Sequence, residues 1–243
     1  MANHAFLNNV DHQDLKIITE KSEKYGNNKM YSAIYPFEFK NAQADYPIFF
    51  YKDQENNAYT ALALFGFEGK ENLYLENDKW NASYIPLMVE REPFLIGKQT
   101  VVENGESTEN PVIHIDLDNP RVNKDQGEKI FLSHGGNSEY INKISTTLKA
   151  LHDSKESTDL FFSTLSELDL IEPFNLDIQL QDGSNHRLAG FHTINEEKLT
   201  GLSGEQLEQL NKSGLLMLIY MVIASQSNIG GLIQKKQDKV QPK

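Results

Sequence analysis

The stretch "VIHIDLD", Val112 to Asp118, sets His114 and Asp116 two residues apart in an alternating run. On a strand, residues i and i+2 point to the same face, so the imidazole and the carboxylate would stand side by side. That is how two legs of a 2-His-1-carboxylate iron site are presented. The third leg would have to come from His134, His152, His186 or His192. The chain has seven histidines, so a partner at some plausible separation is close to guaranteed, and His-x-Asp is a weak pattern. The same residues describe a half-exposed strand, with His114, Asp116 and Asp118 on the wet face and Ile113, Ile115 and Leu117 inward. We adopt that second reading, with no metal and no cofactor. A non-haem iron enzyme built on His114 and Asp116 is the alternative.

Other clusters carry less. "SHGGN", Ser133 to Asn137, leads into a helix and so toward free backbone N–H groups, but it lacks the lysine and spacing of a P-loop and reads as an entry loop. No G-x-S-x-G elbow occurs. There is no cysteine, which excludes disulfides, thiolate metal sites and a cysteine nucleophile. Trp80, Tyr84 and Phe94 surround a segment punctuated by Pro86 and Pro93. Connections carry function more often than the scaffold they join, and prolines lower the entropy cost of holding one ready. We read these three aromatics as the lining of a groove for a protein or peptide partner. Packing of a meander core is the competing role for the same rings.

The elements that must position these residues follow from local signals. "YPIFFYKDQENNAYTALALFGF" reads as two strands around a polar turn, and "ENLYLENDKW" adds a short strand turned at "END". Pro86 opens a short helix, Leu87 to Glu92, that Pro93 stops. "PFLIGKQTVV" and "VIHIDLD" are strands, with "ENGESTENP" a polar loop between them. From Ser138 the period changes to that of a helix: Tyr140, Ile141, Ile144, Leu148 and Leu151 make one stripe, and Leu160, Phe161, Leu165 and Leu168 a second. Ser138 or Asn137 caps the first of these helices, and Ser157 or Thr158 the second. "NLDIQLQDGSNHRLAGFHTIN" is a hairpin turned at Asp182-Gly183, with Gly190 a bulge. Two or three helices close the chain. These elements predict a single α+β domain over residues 1–243: a mostly antiparallel meander in the N-terminal half, and helices chiefly from the C-terminal half.

The whole chain of 243 residues carries a formal net charge of −12. So acidic a surface repels phosphate backbones and anionic lipid, so neither nucleic acid nor a membrane surface is an expected partner. The longest apolar run, "LLMLIYMVIA", has ten residues, about half a membrane span, and is expected to be a buried core helix. No basic, then apolar, leader opens the sequence, so the expected location is the cytoplasm.

The motifs "YPIFFYKD", "ALALFGFEGKENLYL", "KWNASYIPLMVEREPF" and "IDLDNPRV", followed by "LQDGSNHRLAGFHTINEEKL" and its helical ending, resemble the successive motifs of the SapC family over about residues 31–234. The resemblance implies a bacterial protein of a family named from a surface-layer locus. It brings no catalytic residues to carry over. It favours a non-enzymatic intracellular accessory protein that binds a peptide or protein, and leaves a surface-layer component as a further alternative.

Overall fold

The computed structural model describes residues 3–103 and 106–240. The fold is α+β, with antiparallel sheets mostly in the N-terminal half and helices mainly in the C-terminal half. The chain forms two compact units, each built from two separate stretches: residues 1–27 with 87–153, and residues 28–86 with 154–243.

In the first unit, strands Phe94–Glu103 and Glu106–Asp116 form a long antiparallel hairpin, and His4–Phe6 adds to its far edge. Three two-residue strands make a small sheet in the order Val122–Asn123, Lys16–Ile17, Glu128–Lys129. The helix Glu139–Asp153 buries Ile141, Ile144, Leu148 and Leu151, the expected stripe, and the Ser138 hydroxyl accepts the Ile141 N–H at 3.2 Å. That cap satisfies one of the N–H groups a helix start leaves free. The core gathers Ile17, Phe94, Ile115, Ile130 and Phe131 against this helix. The polar stretch expected as a loop belongs to the hairpin instead: Glu106 to Pro111 lie in the strand, and only 104–105 fall outside the described residues. Lys98, Gln99, Thr100, Glu109 and Asn110 are all exposed, so these residues leave no alternation of buried and exposed positions to read.

The second unit has a five-stranded antiparallel sheet in the order Ile171–Gln179, Asn185–Ile194, Ile48–Lys52, Tyr59–Leu64, Tyr31–Ile34. Phe50 meets the helix Lys155–Glu167 through Phe161 and Phe162, at ring separations of 6.1 and 5.2 Å. The stripe of that helix is therefore Phe161, Phe162 and Leu165, while Leu160 is 53% exposed. The helix also begins earlier than its expected caps: Ser157 and Thr158 lie in its first turn and donate to the Ser154 carbonyl, both at 2.8 Å. The hairpin turns at Asp182-Gly183 with Gly183 at φ +86°, and the register shifts opposite Gly190, itself at φ +82°, a backbone only glycine adopts at no steric cost.

The last two helices, Leu215–Ser225 and Asn228–Val240, are anchored at their junction and on their second member. Ser225 Oγ accepts the Ile48 N–H and Gln226 Nε2 donates to the Ile48 carbonyl, each at 2.9 Å. Lys236, nearly buried, donates to Glu71 (2.6 Å) and Glu68 (3.0 Å). Both carboxylates hold the Lys236 ammonium above its usual range against the opposing effect of burial, and Lys236 in turn holds Glu68 below the usual carboxylate range. By length and composition Leu215–Val240 is apolar enough to cross a membrane, with a mean hydropathy of 1.6 over its most apolar stretch.

Candidate functional site

The expected aromatic trio is divided between the units. Tyr84–Pro93 passes from the second unit to the first between Pro86 and Leu87. Trp80 ends a tight hairpin of Leu75–Glu76 and Lys79–Trp80, whose turn residues Asn77 and Asp78 both have positive φ, as a two-residue hairpin loop requires. Its indole N–H donates to Tyr46 Oη at 2.7 Å, and its ring stands edge-on to Phe65 with centroids 5.0 Å apart. Tyr46 Oη donates onward to the Tyr84 carbonyl. Tyr84 Oη donates to the buried Glu38 carboxylate at 2.7 Å, and the Tyr84 N–H to Asp45 at 3.0 Å. Burial pushes the Tyr46 and Tyr74 phenols well above the usual tyrosine range, so both remain donors. Trp80 and Tyr84 thus share one polar network and are half-buried; their polar atoms are committed internally, and only ring surface is left for a partner. Phe94 is 0% exposed. It is the first residue of its strand, directly opposite Ile115, and both side chains enter the core of the first unit. It offers a partner no surface.

His114 and Asp116 share the half-buried face of their strand, with Ile115 fully buried on the other. His114 has a structural task there. Its ring lies across Gly97 on the neighbouring strand, where a β-carbon would come within 2.4 Å of Cδ2 and Nε2. Phe6 meets its other side edge-on at 6.2 Å. An aromatic ring over a strand glycine covers backbone that has no side chain of its own. Asp116 accepts the Asp118 N–H at 3.2 Å and starts the following turn. His134 is on an exposed loop and His152 on an exposed helix face of the same unit; in the second unit His186 sits 3.3 Å from Glu68, and His192 lies edge-on to Tyr59 at 5.4 Å. Among the described residues, no three His, Cys, Asp or Glu side chains gather as a metal site. Gly97→Ala is expected to cost about 1–3 kcal/mol by overpacking, most of it restored by adding His114→Ala. Urea denaturation of the double-mutant cycle tests this; additive costs would show that the ring is not what the new methyl meets.

The same turn carries a buried arginine, Arg121. Arg121 is 0% exposed, the largest fully buried side chain among the described residues. Its Nη1 donates to the carbonyls of Ile18 (3.0 Å) and Glu20, its Nη2 donates to Asn27 Oδ1, and its guanidinium lies 5.6 Å from the centre of the Tyr25 ring. Burial lowers its pKa, opposed by the charges of Glu92 and Glu90. The fork of donors that arginine carries here ties residues 18–27 to the turn after the hairpin. The signal in the sequence is an arginine set inside "DNPRV", a turn of an acidic chain.

The helix Leu215–Ser225 presents a different surface. It is apolar almost all round, and such a helix is ordinarily buried all round. It buries Leu215, Ile219, Val222 and Ser225, but leaves Met217 60% and Tyr220 54% exposed. Met217, Tyr220 and Ala224, at i, i+3 and i+7, form an outward stripe flanked by half-buried Leu216 and Met221. The ten-residue apolar run predicts a wholly buried core helix; only one side of it is in the core.

The SapC family model matches residues 7–232. The chain belongs to the SapC family. No curated protein and no solved structure matches it. The SapC match spans both units, and its motifs fall on their scaffolds: "YPIFFYKD" supplies the central strand Ile48–Lys52, "KWNASYIPLMVEREPF" runs from Trp80 across to Phe94, and "IDLDNPRV" holds Ile115 and Arg121. The motifs that carry the SapC resemblance are to this extent packing motifs, and the outward stripe of Leu215–Ser225 lies within the matched residues.

Proposed function

We propose that this SapC-family protein is a non-enzymatic accessory protein that binds a protein or peptide partner, and that the outward face of Leu215–Ser225 is where the partner sits. The observation that carries the reading is the exposed stripe of Met217 and Tyr220 on a helix with no charged residue. Contiguous exposed apolar surface marks interaction sites. Tyrosine and methionine are enriched at interfaces: tyrosine has a large ring with a polar tip, and methionine adapts to an irregular surface. The partner is accordingly a protein segment with its own apolar face, laid along the helix. The half-buried rings of Trp80 and Tyr84 support the fold of the second unit in this account rather than forming the main contact.

Paired substitution Met217→Glu/Tyr220→Glu is expected to leave the melting temperature close to that of the wild type, because exposed positions contribute little to stability. It is also expected to abolish recovery of a partner that the wild type captures in stoichiometric amount. Retention of that partner by the variant would contradict the proposal. So would binding of the wild type, but not the variant, to neutral phosphatidylcholine vesicles, since that assigns the stripe to lipid.

A further inference from the structure

A second surface has the opposite character. In the first unit, a groove of about 690 Å³ is lined by Lys16, Lys124 and Lys129, with Asp14 as the one carboxylate and Leu15 and Phe131 as apolar wall. Three ammonium groups around one hollow are unexpected on a chain of net charge −12. Several lysines elsewhere sit against a carboxylate, among them Lys98, Lys149, Lys198, Lys212 and Lys236. Among the described residues, none of the three groove lysines forms an ion pair; Lys16 Nζ donates to a backbone carbonyl, that of Asp125, at 2.9 Å.

The sheet forces the repulsion. Lys16 is directly opposite Lys129 in antiparallel register, and opposite Asn123 on its other side. The next residue, Ile17, is fully buried in the core, so period-two alternation sends Lys16 and Lys129 out together on the other face. Like charges directly opposite on a strand pair destabilise it. A fold that keeps two there, adds Lys124 from the adjoining turn, and places a single carboxylate, Asp14, against three lysines is set to receive negative charge from outside. Lysine serves as a point charge for phosphoryl oxygens, and several lysines spread around a groove suit a ligand with several negative charges. Ser133 also lies on the lining.

We infer that this groove binds a small multivalent anion of the pyrophosphate class, either free or as the phosphate chain of a larger molecule. Titration calorimetry of the full chain with inorganic pyrophosphate and with tripolyphosphate, at low ionic strength, tests it. Saturable binding with a Kd below about 1 mM is expected, weakened about tenfold or more in Lys16→Gln/Lys129→Gln. That variant should melt no lower than the wild type, because the substitution removes a like-charge pair; this separates lost binding from lost folding. ATP binding tighter than tripolyphosphate would show that the apolar wall takes a base, and equal affinity that the phosphate chain is the whole ligand; either supports the site. Absence of saturable binding by pyrophosphate and tripolyphosphate, or binding unchanged in the double variant, would overturn it.

Discussion

Arg121→Met should cost the first unit roughly 3–5 kcal/mol, a figure typical of breaking a buried charged network. The side-chain volume is nearly kept, so the loss lies in the polar groups. Two carbonyls, of Ile18 and Glu20, and the Asn27 side chain lose a charged donor at once, and a hydrogen bond to a charged group contributes about 1.5–3 kcal/mol. A hydrophobic isostere can replace a buried ion pair without loss when both partners go; here the acceptors stay behind, two of them backbone. Arg121→Lys keeps the charge but not the fork, and is expected to recover only part of the loss. Chemical denaturation measures both. A melting temperature and unfolding midpoint unchanged in Arg121→Met would show that residues 18–27 are held by something else.

Trp80→Ala should cost the second unit about 2–4 kcal/mol, below the 3–5 typical of a fully buried aromatic because the ring is half-buried. Two losses combine: the edge contact with Phe65, and the indole N–H that supplies Tyr46 Oη. Trp80→Phe separates them, since it keeps a ring against Phe65 and removes only the donor; about 1 kcal/mol is expected. A wild-type stability in Trp80→Ala, together with tryptophan fluorescence readily quenched by iodide, would restore Trp80 as a surface for a partner.

What was legible in the sequence was what has a period. The stripe Ile141, Ile144, Leu148, Leu151 and the hairpin around Asp182-Gly183 could be read because burial on one face leaves a repeat of 3.6 or 2 and a turn leaves its own residues. Ser107, Glu109, Asn110 and Pro111 in the strand Glu106–Asp116 are all exposed, so no repeat of buried positions marks them. Leu160 and Phe162 exchange roles because the pattern FF offers two stripes, and only the position of Phe50 chooses between them. Phe94 looked like its aromatic neighbours Trp80 and Tyr84 along the chain, but its strand pairs it with Ile115 in the other unit. Arg121 and the Lys16, Lys124, Lys129 groove are assembled from residues about a hundred positions apart, and only register brings them together. Likewise, each unit takes two stretches of chain, so no composition shift marks where one ends.

The central claim, that the outward face of Leu215–Ser225 receives a protein partner, is tested most directly by placing a photo-reactive amino acid at Met217 and irradiating intact cells of the natural host. The account predicts one discrete adduct with another protein, absent when the same probe is placed at Leu160, which is similarly exposed on the helix Lys155–Glu167 of the same unit. Adducts at Met217 no more specific than those at Leu160, or adducts with lipid alone, would contradict it.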